Sequence, residues 1–139
     1  MAKRIYLDTN FVIRFVESED TSLLKVIERA DSGLLELFTS ELTLAEVLVG
    51  PFKSDDHALV AFYEEFLTTD DALQVVPIDR TILRATARIR AQLGTRTPDA
   101  IHCATALKTE CSVFLSSDAR LRMPSGLTQV ALDQLHDEL

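Results

Sequence analysis

Four carboxylates in this sequence stand where acids can do chemistry. Asp8 follows the apolar run Ile5-Tyr6-Leu7, Asp118 comes just after Val113-Phe114-Leu115, Asp99 sits in the opening turn of a helix begun by Thr97-Pro98, and Glu46 lies within Leu42-Thr43-Leu44-Ala45-Glu46-Val47-Leu48-Val49. Each aspartate also has a local use: Asp8 can form an Asx turn, Asp99 can complement a helix dipole and Asp118 can cap the turn that follows it. Glu46 is different. Its helical neighbours three and four residues away are Leu42, Thr43, Val49 and Gly50, so it does not belong to a solvated charge stripe. A carboxylate on an apolar face is costly unless a cation meets it, which leaves a metal ion or a paired arginine as its partner. Four carboxylates offer only hard oxygen ligands, a set that suits Mg²⁺ or Mn²⁺ and not zinc. His102 and Cys103 are adjacent and lack the paired spacing of a zinc site, so they read as packing or surface residues, as do His57 and His136.

The elements that must position these acids alternate along the chain. Lys3 to Leu7 and Leu35 to Thr39 read as strands, with a helix over Thr21 to Ala30 between them. Ser40 caps a helix that runs to about Val49, where Gly50-Pro51 stops it. A helix over Asp55 to Leu67, a strand over Leu73 to Ile78 and a helix over Arg80 to Leu93 follow, with Asp79 as cap, Ile82, Ala85, Ile89 and Leu93 inward, and Gly94 as terminator. Thr97 as cap and Pro98 at the first helical position open the next helix, which ends near Thr109. A strand at Ser112 to Leu115, a helical turn after Asp118 and a weak strand at Thr128 to Ala131 complete the pattern. Such alternation predicts an α/β fold with a mainly parallel central sheet flanked by helices. In such sheets ligands bind beyond the carboxyl ends of the strands, where strand order reverses.

Composition narrows the class. The 139 residues are 47% hydrophobic and 26% charged, enough apolar material for one packed core and too ordinary a balance for disorder. No apolar run approaches the 18 or so residues of a membrane span, and only three apolar residues follow Met1-Ala2-Lys3-Arg4 before Asp8, so a soluble cytoplasmic protein without a signal peptide is expected. Cys103 and Cys111, eight apart on or just past one helix, are about 12 Å from each other along it, too far for a disulfide. Free thiols in a reducing compartment are expected. The net charge of −8 argues against a polyanionic partner when taken alone, yet between Arg80 and Pro98 there are five arginines and no acid. Arg80, Arg84 and Arg88 lie four apart on one helical face and Arg96 precedes Asp99, which makes these four the candidate phosphate contacts. A solvated face, or pairing with an acidic partner segment, would use the same arginines.

Four strings, IYLDTNFVIRF, SELTLAEVLVGP, RTPDAIHCATAL and VFLSSDARL, occur in an order and at spacings that resemble the PIN-domain nucleases, most closely the VapC-type toxins of toxin–antitoxin pairs. The resemblance covers nearly the whole chain and implies a single PIN-like nuclease domain over residues 1–139. It matches Asp8, Glu46, Asp99 and Asp118 to the family's acidic quartet, Asn10 to the first motif, and Ser116 to a small hydroxyl residue before the last acid. Ser116-Ser117 stands where the family often has Thr-Asn, so hydrogen bonding around Asp118 is expected to differ. The resemblance implies a Mg²⁺- or Mn²⁺-dependent ribonuclease in which Asp8, Asp99, Asp118 and Glu46 serve the ion. Water activated there would attack a phosphodiester in line, leaving 5′-phosphate and 3′-hydroxyl ends. It also implies an RNA substrate, a homodimer, and a cognate antitoxin whose tail blocks the acid pocket. Phe11, Phe15, Leu48, Phe52 and Phe62 could serve an interface or the core.

Three other readings use some of the same residues. A PIN-like domain could bind RNA or protein without cutting, although acids at all four positions argue against it. A phospho-receiver domain needs a lysine after its last core strand, where this chain has VFLSSDARL, and its acceptor would have to be Asp79. A phosphatase of the haloacid-dehalogenase type needs a second aspartate two residues after its nucleophile, and Asn10 occupies that position.

Overall fold

The computed structural model describes residues 2–134; His136 therefore lies outside the described residues. Its centre is a five-stranded sheet in the order β3-β2-β1-β4-β5, formed by β1 (Lys3–Leu7), β2 (Leu35–Ser40), β3 (Leu73–Val76), β4 (Val113–Leu115) and β5 (Thr128–Val130). Every pairing is parallel. A parallel sheet is buried on both faces, which explains why these strands are near-continuous apolar runs. Alternate residues serve different layers: Ile5, Leu7, Leu35, Leu37, Val113 and Leu115 join one core, while Tyr6, Phe38 and Phe114 join the other. The first core is completed by α1 (Thr9–Glu17), α2 (Leu24–Asp31), α3 (Glu41–Lys53) and α4 (His57–Phe66). The second is completed by α5 (Arg80–Leu93) and α6 (Thr97–Lys108). The α/β expectation with a parallel sheet therefore holds.

Local chemistry sets most of the boundaries as expected. Ser40 accepts a hydrogen bond from the Leu42 amide, Asp79 accepts one from Ile82, and Gly94 ends α5 at φ +69°, a left-handed backbone that a side chain resists. Burial of seven successive residues, Ala100 to Ala106, makes α6 the most enclosed helix and fixes the depth of the His102 and Asp99 side chains.

Several expectations are corrected. α1 stands where no helix was expected: it begins directly after Asp8, with Asp8 itself as its cap. Gly50-Pro51 does not stop α3, which continues to Lys53 with Pro51 buried inside it. Proline removes one amide donor, but the Ser54 amide still reaches the Gly50 carbonyl and the helix carries on past the gap. Thr97 is not the cap of α6 but its first residue; Arg96 is the N-terminal flanking residue, and its side chain does not cap the helix. That shift places Asp99 at the third helical position. β3 ends at Val76, and a turn closed by the Leu121 amide on the Asp118 carbonyl stands where a helical turn was expected. Of the five apolar interface candidates, Phe11 is buried, Phe15 and Leu48 pack on the core, and Phe52 and Phe62 are exposed. Both cysteines are free and buried, and among the described residues no helix is long and apolar enough to cross a membrane.

Candidate active site

Strand order reverses between β1 and β4: the chain runs outward from β1 through β2 to β3 on one side, then returns to add β4 and β5 on the other. The Asp8 amide donates to the Leu115 carbonyl, so the carboxyl ends of these two central strands are tied together at the reversal. This is the crevice in which open parallel sheets place their ligands. Asp8 and Asp118 both leave the sheet there.

Asp8 is held on both carboxylate oxygens. Oδ1 accepts from the Thr9 amide at 2.8 Å, which is the capping role a short polar residue before a helix normally plays. Oδ2 accepts from the Ser116 hydroxyl at 2.6 Å and from Asn10 Nδ2 at 3.3 Å. Ser116 is a hub. Its single O–H goes to Asp8, and its oxygen accepts from Asn10 Nδ2 at 3.1 Å and from the Asp118 amide at 3.2 Å, which uses everything a hydroxyl offers. The loop that carries Asp118 is fixed further by Gln129, whose Nε2 donates to the Ser116 and Asp118 carbonyls, and by Ser117, whose hydroxyl oxygen accepts from the Leu132 amide. The Ser116-Ser117 pair thus supplies hydrogen bonds on both sides of the Asp118 loop.

Glu46 has partners that the sequence did not suggest. Its Oε1 accepts from His102 Nε2 at 2.6 Å and from the Thr9 hydroxyl at 2.7 Å. Burial would raise its carboxyl, but the hydrogen bonds from His102 and Thr9 outweigh that and hold it below the usual range. His102 is 2% exposed, and its other nitrogen, Nδ1, meets the Tyr6 hydroxyl at 2.5 Å. A carboxylate only accepts, so Nε2 carries the ring proton; in the neutral ring Nδ1 is then an acceptor and the Tyr6 hydroxyl donates to it. Tyr6 stays protonated, because burial and the nearby Asp8 push its hydroxyl well above its ordinary value. Tyr6, His102, Glu46 and Thr9 form one hydrogen-bonded chain from the second core to the site. Reading His102 as packing captured its burial and missed this role. The signal available was Glu46 itself, a carboxylate on an apolar face that needed a donor. Cys103 beside it is simply buried, and His57 opens α4 at the surface.

Asp99 and Asp118 face an open cleft of about 370 Å³ whose lining includes Arg96, Arg120 and Arg122. Burial holds the Asp99 carboxyl above its usual range; Arg96 opposes this, while the charges of Asp8 and Asp118 add to it. Asp8 and Glu46 are not part of the cleft lining. Asp118 is held low by the Arg120 guanidinium and by the Arg120 backbone amide. Of the four arginines expected from the sequence, Arg96 lines the cleft, and Arg80, Arg84 and Arg88 stand exposed on α5 outside its lining; Arg120 and Arg122 were not among them.

The donor set fits a hard divalent ion in kind. Its carboxylates are joined by Asn10 Oδ1, a buried carbonyl oxygen beside Asp8 that has no hydrogen-bond partner among the described residues. The acids are not already gathered around a vacant point, however: among the described residues no three His, Cys, Asp or Glu side chains are grouped as a metal would hold them.

Residues 5–126 match the family model described as the PIN domain. No curated protein matches the sequence. Among solved structures, a chain from DNA-bound VapBC of Salmonella typhimurium is 24% identical, with a TM-score of 0.77 over 95% of this chain and 99% of that one. A chain from VapBC2 of Rickettsia felis, bound to a promoter DNA fragment, is 16% identical with a TM-score of 0.75 over 92% and 98%. A chain of a toxin-antitoxin complex from Klebsiella pneumoniae is 18% identical with a TM-score of 0.67 over 89% and 95%. With a parallel sheet whose central carboxyl ends carry Asp8 and Asp118, and a family model spanning most of its length, the chain belongs to the PIN-domain family.

Proposed function

We propose that this chain is a divalent-metal-dependent endoribonuclease and the toxin of a toxin–antitoxin pair. The observation that carries the reading is the position of Asp8 and Asp118 after β1 and β4, where strand order reverses, with Asp99 lining the same cleft as Asp118. Bare, such a group repels phosphate, and a cation turns that repulsion into attraction. Asp8, Asp99 and Asp118 would hold Mg²⁺ or Mn²⁺, with Glu46 beside them; the bound ion would neutralise the scissile phosphate and acidify water.

The chain's own residues supply orientation. Ser116, Asn10 and the Thr9 amide fix Asp8, so its carboxylate enters the site in one conformation. Both bonds from His102 and Thr9 fall on Glu46 Oε1, which leaves Oε2 able to orient a water molecule for in-line attack. The water oxygen would join phosphorus as the P–O3′ bond breaks, with one water proton ending on the departing 3′ oxygen, giving 5′-phosphate and 3′-hydroxyl ends. Likeness to chains solved within toxin–antitoxin complexes supports an antitoxin partner; a homodimer and a cytoplasmic site of action complete the proposal.

One observation favours a non-cutting, RNA- or protein-binding PIN domain instead: Asp118 is already paired with Arg120 and Glu46 with His102, so the acids are not assembled. Cleavage of a mixed small-RNA substrate with Mg²⁺ or Mn²⁺, beside EDTA controls and Asp8→Asn and Asp99→Asn variants of checked fold, separates the two. Metal-dependent cutting lost in both variants is expected. Cutting that survives EDTA or either substitution would remove the site, and no cutting by any sample would favour the non-cutting reading.

A further inference from the structure

The cleft beside Asp99 and Asp118 is built from three segments: Leu93 to Arg96 at the turn between α5 and α6, Asp99 in the first turn of α6, and Asp118 to Arg122 after β4. In a chain of net charge −8, three of the nine lining residues are arginines. Two of them pair one to one with the two acids. Arg120 grips Asp118 with both arms of its fork, Nε to Oδ1 at 3.1 Å and a terminal nitrogen to Oδ2 at 3.3 Å. Arg96 Nε lies 3.8 Å from Asp99 Oδ2. The third, Arg122, donates to the Leu93 carbonyl instead.

Both ion pairs are lopsided. Arg120 is 84% exposed against 25% for Asp118, and Arg96 is 76% exposed against 29% for Asp99. An arginine so exposed holds its acid weakly, because water and salt screen the pair, and it can turn away without leaving a buried charge behind. The acid cannot move off as easily, since the Asp118 loop is pinned by Ser116 and Gln129. Arg120 is therefore the mobile member of a fixed-acid, movable-cation pair. A guanidinium matches a phosphate as well as a carboxylate, with two parallel N–H bonds.

We propose that Arg120 is an exchangeable counter-ion. In the free chain it occupies Asp118; when a divalent cation takes the Asp118 carboxylate, Arg120 is released into the cleft, where with Arg96 and Arg122 it binds an RNA phosphate next to the cut. This rests on the metal-dependent ribonuclease reading above and adds a phosphate subsite to it. The exchange is economical: the same carboxylate is neutralised before and after, and the substrate gains a cation only once the site is loaded.

Two variants of the full chain test it, Arg120→Ala and Arg122→Ala. Each removes one positive charge from the cleft, but only the first frees an acid. Mn²⁺ binding is measured by calorimetry without RNA, and KM and kcat are measured on a short RNA with saturating Mn²⁺. Arg120→Ala should bind Mn²⁺ about two- to fivefold more tightly, the strength of a screened ion pair, while its KM for RNA rises about tenfold with kcat little changed. Arg122→Ala should raise KM with no comparable gain in Mn²⁺ affinity. Equal Mn²⁺ shifts in the two variants would reduce the effect to diffuse charge and overturn the exchange, and an unchanged KM in Arg120→Ala would overturn the subsite. If the parent chain binds Mn²⁺ and cuts RNA, these results bear on Arg120 alone; if it binds no Mn²⁺, the function and this inference fall together.

Discussion

The buried link between Tyr6 and His102 can be tested as a pair. His102→Leu leaves the Tyr6 hydroxyl, fully buried, without its acceptor, at a cost of about 1–3 kcal/mol for the orphaned group. It also removes a donor from Glu46, but that carboxylate keeps Thr9 and some solvent, so this loss is discounted to about 0.5–1 kcal/mol. Tyr6→Phe keeps the ring stacked on Phe114 and orphans only the Nδ1 lone pair, at about 1–2 kcal/mol. The single losses therefore add to about 4 kcal/mol at mid-range. The double variant orphans neither atom and should lose only about 2 kcal/mol, a coupling of about 2 kcal/mol. Urea unfolding of the four proteins gives the cycle, with equal m-values confirming that the same transition is compared. Losses that add to within about 0.5 kcal/mol would refute the hydrogen-bonded chain and return His102 to a packing residue.

Three further outcomes follow from the same geometry. Ser116→Ala removes the 2.6 Å bond to Asp8 and leaves the Asn10 amide with Asp8 as its remaining acceptor, so it should lower stability by about 1–2 kcal/mol and reduce cleavage together; an unchanged melt would show that the hub is not formed. Burial pushes the Cys103 thiol up to about 12 and Cys111 up to about 11, against about 8.5 in an unfolded chain. The unfolded chain alone releases these protons first, so stability falls as pH rises from about 8.5 towards 11, and at pH 8.5 an alkylating reagent should modify neither thiol until urea exposes both. Mn²⁺ at a hundred times its dissociation constant should stabilise the parent chain by about 2.7 kcal/mol in thermal melts. Asp99→Asn should lose most of that gain, and a gain retained in the variant would place the ion elsewhere.

The parts of the fold that rest on local chemistry were legible in the sequence. Ser40, Asp79 and Gly94 mark boundaries because a cap or a left-handed turn needs only its immediate neighbours. The apolar runs of β1, β2 and β4 announced a buried parallel sheet, and an acid closing such a run announced Asp8 and Asp118. What escaped is held by distance. His102 reaches Tyr6 across 96 residues and Glu46 across 56, and nothing in the adjacent Ile101 or Cys103 records either contact. Gln129 and Arg120 owe their roles to where the loop after β4 lies, which only the completed sheet decides. The helix α1 was hidden by its composition, since Phe11, Val12, Ile13, Phe15 and Val16 favour strands, and tertiary burial of Phe11 and Val12 overrides that preference. Likewise Pro51 is a stop signal that the surrounding helix outvotes.

The central position of β1 has a consequence for a chain made one residue at a time. Asp8 is synthesised first, yet its partner Ser116 comes 108 residues later, and Gln129 and Leu132, which secure the loop beyond it, come later still. At roughly 5–20 residues per second on the ribosome, many seconds separate the first acid from the last strand that completes its surroundings. A growing or prematurely terminated chain therefore carries Asp8, and even Glu46, without an organised site. The surroundings of Asp8 are thus set by the order of synthesis: they close only when β4 and β5 have been added beside a strand made at the outset.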